Sequence, residues 1–261
     1  MTRRIAATSL FTMMLCAGAA HADGIPACAG AVELGSEIVT RIEPNAALIT
    51  TDGLAVKMEG IRLPLGSREK ASGTFTDQAY GMLATLVKGR TVALTAIEPK
   101  QDRYDRLRAQ VFGAEQVWVQ QRLLEQGLAR VALSPDRTEC SSELYAAEAS
   151  ARAAQRGIWS SPAYAIRTPD NLRGDVGTFQ VVEGVVQTAN VDGGRAYLNF
   201  GADWRTDLTV TISPDDMKTF DLLGVDPRAY AGKRVRVRGM VQMVNGPSIA
   251  VANPQSVEVV N

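Results

Sequence analysis

Asp102-Arg103-Tyr104-Asp105-Arg106-Leu107-Arg108-Ala109-Gln110-Val111-Phe112 is a charged turn that runs into a strand. Between Asp102 and Arg106 only Tyr104 has an apolar body, so this half cannot be core. Leu107, Ala109 and Val111 then alternate with Arg108 and Gln110. That is the period-two pattern of a half-buried strand, with the polar side facing water. A cationic turn feeding a strand edge offers donors to an anion such as phosphate. The same residues also read as a solvated hairpin tip.

Working outward, Val32 to Glu43 and Ala47 to Thr51 read as two earlier strands. Asp52-Gly53 is a tight-turn dipeptide leading into a third strand, Leu54 to Leu63. A helix is expected within Ser67 to Val87, stopped by Lys88-Gly89, followed by strands over Arg90 to Ile97 and Leu107 to Gly113. Three strands, a helix and two strands is the order of a five-stranded Greek-key barrel of the OB type. Helices over Val117 to Gln126 and Ser142 to Arg156 follow. Residues 161–175 hold prolines without periodicity and read as a linker. Residues 176–261 repeat the order. A long strand spans Gly177 to Asn190, and others span Arg195 to Phe200 and Leu208 to Ser213. A short helix from Pro214 to Leu223 precedes strands over Lys233 to Val244 and Ser248 to Val260. The expected fold is mainly β with helices (α+β), an OB barrel at 23–160 and a smaller OB-like barrel at 176–261.

The opening stretch resembles the Asp-Arg-Tyr-Gly-Arg signature of the thermonucleases, the staphylococcal-nuclease-like family. Val56-Lys57-Met58-Glu59-Gly60-Ile61-Arg62-Leu63-Pro64-Leu65 is similar to that family's Val-Arg-Leu-x-Gly-Ile-Asp-Ala-Pro-Glu strand. Leu123 to Val131 resembles its second helix, and Leu144 to Trp159 its last. The resemblance covers about residues 32–160 and supports the OB barrel already read from the pattern.

Arg3-Arg4, the apolar run Ile5 to Ala20 and Ala20-His21-Ala22 form the three regions of a secretory signal peptide, residues 1–22. No later segment is long and apolar enough to span a membrane. The expected product is exported, periplasmic or secreted. Removal of Arg3 and Arg4 leaves 26 basic groups against 28 acidic ones, so no bulk field draws in nucleic acid. The single histidine, His21, leaves too, which excludes His-based triads, zinc sites and general bases. Cys28 and Cys140 remain, an even number that in an oxidising compartment favours one disulfide.

The resemblance implies a calcium-dependent phosphodiesterase with two aspartates, a glutamate and two arginines. Here Asn45 and Arg62 occupy the aspartate positions, Leu65 the glutamate and Lys57 the first arginine. Arg106 alone is retained. The site is thereby four charge units more positive. A divalent ion about 4 Å from Arg62 would meet repulsion of order 8 kcal/mol at an effective dielectric near 20. A weak calcium site supplies about 4–5 kcal/mol, so no metal cofactor is expected, with Ca²⁺ the cofactor if the site works after all. Lys57, Arg62, Arg103 and Arg106 remain as candidate anion-binding residues, unless Glu43 or Glu59 neutralises Arg62. Arg234, Arg236 and Arg238 alternate along a strand, a candidate face for single-stranded nucleic acid with Tyr197 and Trp204 as stacking aromatics, or else a solvated face. Three functions follow. The leading one is a binding module for nucleic acid, another anion or a protein partner. The others are a nuclease with an altered site using Glu43, Glu59 or Asp105, and a structural protein-interaction module.

Overall fold

A computed structural model of the chain describes residues 24–65, 73–203 and 205–260. The expected signal peptide at 1–22, the helix start at Ser67 and Trp204 lie outside these residues.

The first domain contains β1 (Val32–Ile42), β2 (Leu48–Thr50), β3 (Ala55–Met58), β4 (Ile61–Arg62), α1 (Gly73–Val87), β5 (Thr91–Thr95) and β6 (Leu107–Phe112). These are followed by α2 (Val119–Glu125), β7 (Arg130–Val131) and α3 (Ser141–Ala153). Strands β1, β2, β3, β6 and β5 close into a barrel in that order, with β3 and β6 parallel. Val39, Leu48, Val56, Leu94 and Val111 fill it. Leu83, Leu123 and Leu144 seal it with the helices, all three fully buried. The strand expected from Leu54 to Leu63 is broken at Glu59-Gly60, and its end leaves the barrel as β4 to pair with β7. Gly60 has φ +82°, and a Cβ there would lie 2.5 Å from Leu144 Cδ1, so both the break and the seat of α3 need glycine.

Strand β6 departs from the half-buried reading, because all six of its residues are buried. Arg108 is held by Glu59 at 3.1 Å and Asp136 at 2.7 Å. Gln110 accepts a hydrogen bond from Trp118 Nε1 at 3.1 Å and donates to Glu139. The polar side of the strand is thus covered by residues 134–139 rather than by water. Cys28 and Cys140 form a disulfide with Cα atoms 5.1 Å apart, which ties the N-terminal segment to the start of α3.

The second domain contains β8 (Phe179–Val185), β9 (Thr188–Asp192), β10 (Arg195–Asn199), β11 (Thr209–Ile212), α4 (Pro214–Leu222), β12 (Arg234–Met243), β13 (Pro247–Ala250) and β14 (Val257–Val259). Pro214 opens α4, and the Ser213 side chain caps it by accepting from the Asp216 N–H. The single strand expected over Gly177 to Asn190 is bent at Val186-Gln187. The Val186 N–H donates to Lys233 O and the Gln187 N–H to Asn199 O, so its two halves pair with different neighbours. Around that bend the order β9, β10, β11, β13, β12, β8 repeats the connectivity of the first barrel, with β11 parallel to β13 as β3 is to β6.

The segment between the barrels is packed. Tyr164 and Leu172 are buried, and Arg167 pairs with Asp175 at 3.0 Å. Buried cationic contacts lock the barrels together. Arg238 of β12 is buried against Glu148 of α3 at 2.7 Å, beside Glu258 and 4.4 Å from the Tyr145 ring centroid. Arg130 of β7 donates to Phe179 O at 2.7 Å and lies 4.9 Å from the Phe179 ring centroid and 4.8 Å from that of Tyr164.

Candidate anion-binding site

A cavity of about 570 Å³ opens where β3, β4 and the turn before β6 meet the second barrel. Parallel pairing of β3 with β6 places Lys57 opposite Arg108, next to the charged turn. The break at Gly60 swings β4, with Arg62, across the same opening. Lys57, Arg62 and Arg106 therefore all line the cavity. The described residues that line it include no carboxylate.

Each cation has a support. Lys57 Nζ contacts Glu59 and donates to Ser134 Oγ at 3.2 Å. Arg106 Nε and Nη2 both donate to Asp102 Oδ2, at 2.8 and 2.6 Å. The guanidinium of Arg62 lies 5.7 Å from the Phe179 ring centroid. Burial pushes the Glu59 carboxyl up, but hydrogen bonds from Arg108 and Lys57 outweigh it and hold the group below its ordinary 4.5. Partial burial likewise pushes Asp102 up, and donors from Arg106 and the Tyr104 backbone more than offset that. Both carboxylates are ionised at neutral pH, and neither lines the cavity.

The turn itself depends on Asp105, which has φ +58° at the position where the thermonuclease signature has glycine. Aspartate is among the few residues that enter this region readily. Asp102 Oδ1 accepts from the Tyr104 and Arg106 backbone N–H groups and fixes the turn from inside. Residues 55–161 match the family described as staphylococcal nuclease homologue. This segment is a staphylococcal nuclease homologue domain. No curated protein matches the chain.

Within the nuclease domain, three of the four expected anion-binding residues converge. Arg103 does not join them. It is exposed and lies on the Tyr104 ring at 4.8 Å, donating to the Tyr104 hydroxyl at 2.8 Å. Asn45 and Leu65 line the cavity, and Asn45 Oδ1 accepts from the Ala47 N–H at 3.0 Å. The carboxylates weighed as neutralisers of Arg62 are engaged elsewhere: Glu43 with Arg41 at 2.8 Å, and Glu59 with Lys57, Arg108 and Ser134. Neither these two nor Asp105 lines the cavity.

The arginine strand requires a correction. Arg234, Arg236 and Arg238 do share a face of β12, but they do not form an open nucleic-acid surface. Arg238 is buried in the contact between barrels, Arg236 pairs with Glu183 at 2.6 Å, and Arg234 pairs with the same carboxylate at 2.8 Å. Arg238 is enclosed in docking and Arg236 in cross-strand pairing, while Arg234 stays largely exposed. The reading of the nuclease family pattern also missed Phe179 and Met240, which line the cavity from the second barrel. That pattern ends before the second barrel, so no signal in it points to them.

Proposed function

We propose that this exported chain uses the cavity of its nuclease domain to bind a phosphate-bearing ligand without calcium-dependent cleavage. One observation carries the reading: Lys57, Arg62 and Arg106 line the cavity, and the carboxylates that hold Lys57 and Arg106, Glu59 and Asp102, stand behind them rather than in its lining. Hydrolysis through a divalent ion needs carboxylate oxygens to neutralise the metal, and Asn45, Arg62 and Leu65 stand where the family pattern has acids. Guanidinium and ammonium donors suit phosphate oxygens directly. Export is supported by the signal-like first 22 residues and by the disulfide. No helix among the described residues is long and apolar enough to cross a membrane.

Because Arg238 is buried and Arg236 is paired with Glu183, single-stranded nucleic acid would be held mainly by the cavity cations. Its log affinity would then fall with log salt at a slope of about −2, for three neutralised phosphates. The deciding experiment is a nuclease assay on the mature chain with Ca²⁺ and with chelator, run beside a phosphate-binding titration. Saturable phosphate binding, weakened by Arg106→Ala and indifferent to chelator, is expected. Robust chelator-sensitive turnover that Arg106→Ala abolishes would instead establish an altered but working nuclease.

A further inference from the structure

The cavity is not uniformly cationic, and its apolar part comes from two domains. Met58, Ile61 and Leu63 line it from the nuclease domain, and Phe179 and Met240 from the second barrel. Phe179 and Met240 are directly opposed partners on β8 and β12, so they form one patch rather than two isolated contacts. That patch is fixed in place. The Phe179 carbonyl accepts from Arg130, and its ring faces the guanidinium groups of Arg130 and Arg62. Met240 lies two residues beyond Arg238, on the same face of β12, and Arg238 is anchored to Glu148. The anchoring of Arg238 on Glu148 is thus what presents Met240 to the cavity.

Resting on the anion-binding reading, we infer that the second barrel is the specificity element of the site: Phe179 and Met240 form a fixed apolar wall that selects a compact phosphate monoester with an apolar or aromatic body. Inorganic phosphate would meet the cations and leave the wall uncovered. A monoester with a ring-sized body would cover both. The cavity, at about 570 Å³, has the size of small-molecule sites, which run from roughly 300 to 1,000 Å³. A polymer running past the cations would have to pass the wall instead of resting on it.

The test is calorimetric titration of the full mature chain with phenyl phosphate, with inorganic phosphate and with a short single-stranded oligonucleotide. Phenyl phosphate should bind at least about tenfold tighter than inorganic phosphate, the scale at which an apolar pocket discriminates. Met240→Ala should bring that ratio towards one while leaving inorganic phosphate within about twofold, and Phe179→Ala, which also removes the ring beside Arg62, should lower the ratio while weakening inorganic phosphate to a smaller extent. Lys57→Ala should weaken both small ligands together. Circular dichroism and the thermal midpoint verify folding, and Phe179→Leu replaces Phe179→Ala if the latter unfolds. A ratio unchanged in both wall variants, with phosphate binding still dependent on Lys57, would overturn the wall and leave the anion site standing. An oligonucleotide that binds far tighter than phenyl phosphate, independently of Met240, would overturn the preference for a compact ligand. No phosphate binding at all would remove the anion site and the wall together.

Discussion

Replacing Arg238 by Met tests whether the two barrels are one mechanical unit. The side chain of Arg238 is 2% exposed and that of Glu148 0%, so their pair is removed from water. Burial disfavours the Arg238 charge, and the facing Glu148 and Glu258 carboxylates more than restore it, raising the group above the ordinary guanidinium value. Methionine keeps much of the length but leaves the Glu148 side chain enclosed without its guanidinium partner. Breaking one side of a buried pair costs about 3–5 kcal/mol. Glu148 keeps the Val131 N–H at 2.9 Å and a longer contact to Arg152 at 3.4 Å, and Glu258 is 22% exposed and can turn to water. The loss therefore belongs at the lower end, about 3 kcal/mol, which in urea moves the midpoint by about 1–1.5 M for a chain of this size. Adding Glu148→Gln removes the stranded charge while keeping an acceptor for Val131, and should recover about 2 kcal/mol. Urea unfolding followed by far-ultraviolet dichroism, arranged as a double-mutant cycle, reads these values. A loss under about 1 kcal/mol with no coupling in the cycle would refute the locked interface, since it would mean that water already screens the pair.

Four further outcomes are expected. Reduction of Cys28–Cys140, whose cysteines are 112 residues apart, should lower unfolding stability by about 3–5 kcal/mol, and mass measurement with and without reductant should differ by two hydrogens. Glu59 has a folded-state pKa below its ordinary 4.5, so its contribution is complete above that pH and is lost as pH falls through the depressed value. Stability should hold level down to about pH 5 and decline below 4.5, with a shallower decline in Glu59→Gln, as read by urea titrations across pH. Gly127→Ala should cost about 2–4 kcal/mol in thermal or urea unfolding, because φ is +64° and the new Cβ would lie 2.1 Å from Arg156 O. Gly89→Ala, at φ +69° with open space around it, should cost about 1 kcal/mol.

The barrel was legible because its signals are local. Asp52-Gly53 marks a turn, Gly89 ends a helix, and alternation marks β12 whatever its surroundings. What the alternation could not say is what lies on the polar side. On β6 that side faces Glu59, Asp136 and Glu139, and on β12 Arg238 faces Glu148 of α3, so charged residues read as solvated are enclosed by partners distant in sequence. A two-residue bend such as Val186-Gln187 also leaves no compositional mark, since both residues suit a strand. For the site, the motif spacing brought Lys57, Arg62 and Arg106 to one place because β3 and β6 are neighbours in the barrel, Arg106 ends the turn before β6, and β4 leaves β3 across the same opening. Arg103 was set apart only by the direction its side chain takes from the turn. Phe179 and Met240 depend on how two domains dock, which periodicity does not encode.

Both barrels are completed by a parallel pair of strands, and this has a kinetic consequence. A hairpin forms from its own turn outward, but Val56 must find Leu107 across 51 positions, and Thr209 must find Ser248 across 39. The entropic difference between those two closures is only about 0.2 kcal/mol. Chain length therefore gives neither barrel a head start, and each waits on an encounter that no local turn can nucleate. Contacts of this range slow folding by orders of magnitude relative to helical bundles. The helices do not escape this wait, because α2 with seven residues and α4 with nine are too short to persist alone and gain their stability from packing on the closed sheets.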